Sequence, residues 1–211
     1  MDKYENRREA AKILLEMLKK DRYKDGIVLG VPRGGIVLAK VIAEGLQLPF
    51  DIIITRKIGM PNNPEAAIGS VTQNKKMILN HDMMQRLELT EEDVKDNIEK
   101  ASKEVEVCLK KYRGDRPLPN LEKKEVIICD DGIATGYTIK AAVESIKPEN
   151  PKKIILAVPV APPNVIKELK KYVDKIVWPL APDFFVAVSQ FYRGFVQVED
   201  EEVIKLLEDT L

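Results

Sequence analysis

The sequence predicts an α/β protein: a central, mostly parallel sheet flanked by helices, with a helical insertion at about 81–120. Three observations predict it. Short, continuous apolar runs rich in β-branched residues recur along the chain (Ile27–Val31, Val126–Cys129, Lys153–Val160), as strands buried on both faces require. Each run opens into a glycine- or proline-bearing loop followed by helical composition. Strands that alternate with helices in this way pair in parallel through right-handed crossovers.

The elements follow in order. Residues from about Glu5 to Lys20 place Ala10, Ile13, Leu14, Met17 and Leu18 on one helical face. Asp25-Gly26 breaks the chain, and Ile27–Val31 is the first strand. Pro32-Arg33-Gly34-Gly35 follows, then a helix over Ile36–Leu46. Phe50–Thr55 is the second strand. The stretch from Arg56 to Glu65, rich in Pro and Asn, is expected to be a loop beginning with two cations, Arg56 and Lys57. Ala67–Thr72 and Lys76–Leu79 form a hairpin around Gln73-Asn74-Lys75.

The insertion comes next. His81, the single histidine, has no base partner and no metal-ligand spacing, and is given no role. Thr90 is expected to cap a helix of roughly 22 residues with one apolar stripe (Val94, Ile98, Ala101, Val105, Leu109, Tyr112) and a charged back. The stripe packs on its own domain or forms a dimer surface. After Arg113–Pro119 ends that helix, the Val126 strand feeds a helix to about Ile146, and Lys153–Val160 feeds a helix to Tyr172. Asp174–Trp178 is a further strand, and Glu199–Leu211 closes the chain as an amphipathic helix.

Composition narrows the function. The chain has 211 residues, the length of a single α/β domain with an appendage. Lys+Arg and Asp+Glu are both 34, which argues against a strongly basic nucleic-acid face. Cys108 and Cys129 lie far apart and in no metal spacing, as in a protein of a reducing compartment. With a charged N-terminus and no span long enough for a membrane, a cytoplasmic protein is expected.

The most informative stretch is Val126–Thr138. A buried strand ends in two adjacent carboxylates, Asp130 and Asp131, then in a loop holding Gly132, Thr135, Gly136 and Thr138, then in a helix N-terminus. Free N–H groups and the positive end of a helix dipole favour an anion. Gly132 and Gly136 allow close backbone approach. The carboxylates would repel a phosphate, so they suit hydroxyl donors or a cation. A ribose 5-phosphate carries both halves. A Walker B strand needs a G-x-x-x-x-G-K-[ST] loop, and a dinucleotide site needs G-x-G-x-x-G; neither is present.

This run resembles the binding motif of the type I phosphoribosyltransferases, matching it at Val126, Ile127, Ile128, Asp130, Asp131, Thr135, Gly136 and Thr138, with Cys129 a mild departure. The resemblance implies that Asp130 and Asp131 hold the ribose hydroxyls of phosphoribosyl pyrophosphate (PRPP). It implies that Gly132, Ile133, Ala134, Thr135, Gly136, Tyr137 and Thr138 wrap the 5-phosphate. Arg33, Gly34 and Gly35 would contact the pyrophosphate, with a non-proline cis peptide expected at Arg33-Gly34. The Arg56-Lys57-Ile58-Gly59-Met60-Pro61 pattern is similar to the mobile loop of adenine phosphoribosyltransferases. It implies that Arg56 and Lys57 neutralise the leaving pyrophosphate, with Glu65 a candidate acid or base that is as readily a solvated loop residue. Pro182-Asp183-Phe184-Phe185-Val186 resembles the base-pocket segment of hypoxanthine-guanine phosphoribosyltransferases, with Phe185 stacking on the base and Val186 offering backbone groups; a core phenylalanine is the equal alternative. The lysine those enzymes use nearby has no clean counterpart, although Lys175 is close, and Trp178 could wall the pocket.

The implied activity is transfer of ribose 5-phosphate from PRPP to a nitrogenous base, purine favoured, with Mg2+ held by ligand oxygens and water and no protein metal ligand. A homodimer or higher homo-oligomer is implied. Two alternatives stay open: a non-catalytic protein that senses PRPP or a nucleotide, and transfer to water or a non-base acceptor.

Overall fold

The structure, a computed structural model, describes residues 3–61 and 63–208, and of residues 63–66 only the backbone. In chain order the elements are α1 (Arg7–Leu18), β1 (Gly26–Gly30), α2 (Gly34–Leu46), β2 (Phe50–Ile52), β3 (Thr55–Met60), β4 (Asn63–Thr72), β5 (Met77–Leu79), α3 (His81–Arg86), α4 (Lys95–Arg113), β6 (Glu125–Cys129), α5 (Tyr137–Ile146), β7 (Lys153–Ala157), α6 (Pro163–Leu169), β8 (Lys175–Val177) and α7 (Asp200–Glu208). Short 3-10 turns lie at Glu92–Val94, Lys147–Glu149 and Val188–Phe191. Two compact units emerge. The first comprises the chain up to Ile53, Leu118–Gly136 and everything from Glu149 onward; the second comprises Ile54–Pro117 and Tyr137–Pro148.

The first unit is built on a parallel five-stranded sheet in the order β2-β1-β6-β7-β8. β1 is buried along its whole length, and β6 and β7 from their second residue on, which accounts for their uninterrupted apolar composition. α2 packs between α1 and β1 and also meets α7. α1 starts where Asn6 accepts a hydrogen bond from the Glu9 N–H (3.0 Å). Of the face that the sequence pattern marks, Ala10, Leu14 and Leu18 are buried while Ile13 and Met17 are half-buried, and the buried face turns to include Ala11 and Leu15 instead.

The sheet order places the site. Chain order reverses between β1, whose other neighbour is β2, and β6, whose other neighbour is β7. Ligands of open parallel sheets bind at such a reversal, beyond the C-terminal strand ends. β1 and β6 run in register, Gly30 beside Cys129, and the Val31 N–H donates to the Cys129 carbonyl (2.9 Å). The loops that leave these two strands therefore start side by side.

The second unit is an antiparallel sheet, β3-β4-β5, packed against α4 and α5. It carries two corrections. Residues 56–60, expected as loop, are strand β3, paired from Thr55↔Thr72 to Met60↔Asn63 with register shifts at Ile58–Gly59 and Gly59–Met60. Pro61 lies just past its end and Asn63 and Pro64 open β4, so these residues do not interrupt β3, and Thr55 and Ile58 supply buried positions. The Thr90 helix is shorter than expected: a 3-10 turn precedes the 19-residue α4. Thr90 caps that turn, with Thr90 N–H and Asp93 Oδ2 at 2.7 Å and Asp93 N–H and Thr90 Oγ1 at 3.3 Å. The β4–β5 hairpin is present where expected, with Lys75 at φ 58° in its turn. Among the described residues, no helix is long and apolar enough to cross a membrane.

Candidate active site

Two loops of the first unit interlock. Residues 31–33 connect β1 to α2, and their non-proline cis peptide is Pro32–Arg33, one bond before the expected Arg33–Gly34. A Cβ on Gly35 would stand 2.4 Å from the Cys129 carbonyl oxygen and 2.9 Å from the Asp130 Cα. A Cβ on Gly34 would stand 1.8 Å from Oδ2 of Asp131. Both glycines are therefore required by close approach to the β6 loop. Arg33 is partly exposed and its Nη1 lies 3.7 Å from Glu199 Oε2.

The acidic pair at the end of β6 is asymmetric. Asp130 Oδ1 accepts the Asp131 N–H (2.9 Å). Asp131 Oδ2 accepts Nε of Arg7 at 2.7 Å, and the two side chains are 14% and 11% exposed. The Asp131 carbonyl accepts the Tyr192 hydroxyl (2.6 Å). Burial pushes the Asp130 carboxyl well above the usual carboxylate range, and the Asp131 charge beside it adds to the rise. Burial raises Asp131 too, against the opposing pull of Arg7. The Tyr192 phenol is pushed up by burial and by the Asp131 charge.

Beyond the pair, Gly132 has no room for a side chain: a Cβ there would meet Cγ1 of Val188 at 2.4 Å. Ile133 is buried, Ala134 and Thr135 are exposed, and Gly136 takes φ 81°, the left-handed region that glycine adopts readily. Tyr137 and Thr138 open α5 in the second unit, both exposed.

The segment after Pro182 folds around Gln190. Its Oε1 accepts the Val186 N–H (2.9 Å) and the Ala187 N–H (3.1 Å), and its Nε2 donates to the Phe184 carbonyl (3.3 Å). Phe185 is half-buried, 5.0 Å from Phe191 between ring centroids, beside a cluster of Tyr4, Ala10, Val160, Phe191 and Tyr192. Phe184 is the exposed ring of this segment, at 77%. Lys175 pairs with Asp21, and Lys170 Nζ lies 4.8 Å over the Trp178 ring.

Arg56 and Lys57 lie on β3 in the second unit. Arg56 donates to the Thr55 carbonyl and to Cys108 Sγ, both at 3.0 Å, with Glu104 3.6 Å from its Nε. A cleft of about 300 Å³ beside them is lined by Asn97, Lys100 and Glu104 of α4. The Glu65 side chain lies outside the described residues. Sequence reasoning singled out neither Arg7 nor Tyr192: their partner Asp131 is 124 and 61 residues away, and nothing local marks the pairing. Among the described residues no three His, Cys, Asp or Glu side chains cluster so as to hold a metal ion.

The model of the phosphoribosyl transferase domain family matches residues 2–194. The chain belongs to that family. It is 34% identical over 208 residues to the protein named "Putative phosphoribosyl transferase" in two strains of Mycobacterium tuberculosis. That match covers 99% of this chain and 47% of the relatives, so the chain spans about half the length of the curated relatives it matches. The crystal structure of TT1426 from Thermus thermophilus superposes with a TM-score of 0.90 at 31% identity over 98% of each chain. A hypothetical protein from Neisseria gonorrhoeae, solved with bound ppGpp, shares the fold at a TM-score of 0.50 and 14% identity, covering 98% of this chain and 94% of its own. In this phosphoribosyl transferase domain the interlocked β1 and β6 loops sit at the strand-order reversal of the sheet.

Proposed function

We propose that the protein transfers ribose 5-phosphate from PRPP to a nitrogenous base, purine favoured, releasing pyrophosphate. The observation that carries this reading is the apposition of Gly34 and Gly35 to the acidic pair at the strand-order reversal. It brings together a backbone loop open to a pyrophosphate, carboxylates suited to a ribose diol, and a glycine-threonine loop suited to a 5-phosphate.

On this reading Asp130 and Asp131 hold the ribose hydroxyls. Residues Gly132 to Thr138 bind the 5-phosphate through backbone N–H groups and the Thr135 and Thr138 hydroxyls. Arg33, Gly34 and Gly35 take the pyrophosphate, and Arg56 and Lys57 neutralise it as it leaves. Arg56 would exchange Glu104 and Cys108 for the ligand in doing so. As the bond to the anomeric carbon breaks, positive charge develops on the ribose, and carboxylates holding its hydroxyls would favour that charge. Orientation and exclusion of water supply most of the acceleration.

Magnesium fits this donor set only as an ion carried by the ligand, since one of the two adjacent carboxylates is engaged by Arg7. When bound, it would neutralise the leaving pyrophosphate. The base would enter beside the 184–188 segment, where Phe184 is the exposed ring and Val188 packs on Gly132. A cytoplasmic homo-oligomer belongs to the same reading.

The test is a pyrophosphate-release assay with PRPP, magnesium and a panel of purine and pyrimidine bases. Release that depends on one base class supports the proposal and names the acceptor. Binding of PRPP without release under any base would point to the sensing alternative.

A further inference from the structure

Asp131 is gripped by residues from both ends of the first unit, its carboxylate by Arg7 and its backbone carbonyl by Tyr192. Arg7 stands in the first turn of α1, and its guanidinium is held in place on three sides. Nε donates to Asp131 Oδ2 at 2.7 Å, Nη1 donates to the Val196 carbonyl at 2.6 Å, and the guanidinium carbon lies 3.9 Å over the Phe195 ring. Phe195 rests in turn on Tyr192, 5.0 Å between centroids, and the Tyr192 hydroxyl holds the Asp131 carbonyl. The Arg7 Nε also stands 2.9 Å from where a Gly34 Cβ would be. A planar fork that pairs, donates and stacks at once is a use of arginine that lysine does not reproduce.

We propose that Arg7 is a positioning residue for the acidic pair: it fixes the Asp131 carboxylate over the first loop and cancels its charge, so that its oxygens stay in place as acceptors for the ligand without an uncompensated charge beside Asp130. The inference rests on the proposed function and deepens it. A ligand with a 5-phosphate and a pyrophosphate carries several negative charges, and two uncompensated carboxylates beside it would repel it. Neutralising one by an internal arginine removes much of that repulsion while keeping the oxygen atoms in place as hydrogen-bond acceptors. The pairing is not needed to hold α1 against α2, since Ala10, Ala11, Leu14 and Leu18 are buried without it.

The test is calorimetric titration of PRPP with excess magnesium into the wild type, Arg7→Gln, Asp131→Asn and the double variant. Arg7→Gln is expected to weaken binding about tenfold, the size of a coupling near 1.4 kcal/mol. In the Asp131→Asn background the same change is expected to have no further effect, because Arg7 acts through that carboxylate. Arg7→Lys is expected to recover part of the affinity, and it carries the same comparison if Arg7→Gln fails to fold. An Arg7 effect that persists undiminished in the Asp131→Asn background overturns the proposal, as does a wild type that binds while Arg7→Gln binds equally well; in both cases the proposed function stands. A wild type that binds no PRPP overturns the proposal together with the function beneath it.

Discussion

Gly34 and Asp131 share one space: where a Gly34 side chain would begin, Oδ2 of Asp131 stands 1.8 Å away. That contact joins the loop after β1 to the loop after β6, and the glycine is what permits it. The Asp131 carboxylate cannot swing aside cheaply, because Arg7 holds it at 2.7 Å.

Gly34→Ala is therefore expected to force the two loops apart. Overpacking of this kind costs about 1–3 kcal/mol. Thermal unfolding should show a lowered midpoint, and PRPP titration should show binding lost or severely weakened. An alanine variant with unchanged midpoint and affinity would mean that the loops part freely.

Asp130 sets function against stability. Burial holds its folded-state pKa above the ordinary carboxylate value. A group raised in this way contributes stability in full below its unfolded pKa and loses it as pH rises through the folded one. As pH rises through that folded-state value the carboxylate must ionise in its desolvated site, at a cost in stability. Asp130→Asn should thus gain in melting temperature relative to the wild type as pH rises, while losing PRPP affinity. Melting curves of both proteins from acid to alkaline pH check the sign.

Tyr192→Phe removes the hydroxyl that donates to the Asp131 carbonyl and leaves the ring packing on Tyr4 and Phe195. The loss should be about 0.5–1.5 kcal/mol, the net worth of one intramolecular hydrogen bond. Urea unfolding reads it as a shifted midpoint with an unchanged slope.

The two phenylalanines of the 184–188 segment should separate. Phe185→Ala opens space beside Phe191 and is expected to lower the melting temperature. Phe184→Ala removes an exposed ring, should leave melting unchanged, and should raise the KM for the base. Melting scans and base-dependent rates on both variants distinguish core from contact.

Much of this was legible in the chain. β1, β6 and β7 are buried strands of a parallel sheet, and apolar runs such as Val126–Cys129 can be little else. The glycine positions of both loops were legible because close approach leaves few alternatives to glycine. β3 was hidden because Pro61 and its neighbouring asparagines dominate the composition of a segment whose strand is set by pairing with Val71 and Thr72. In the sequence Arg7 is one charge among several near the N-terminus, and Tyr192 one of three aromatics from Phe191 to Phe195. Long-range pairing gave them their place, and no local pattern encodes it. The hydrogen bonds of Gln190 to the Val186 and Ala187 N–H groups were hidden for the same reason.

The most direct measurement is calorimetric titration of PRPP with magnesium into the wild type and into Asp130→Asn/Asp131→Asn. The account predicts saturable binding by the wild type that the double variant loses while remaining folded. A folded wild type that shows no heat of binding, or a double variant that binds as well as the wild type, would contradict it.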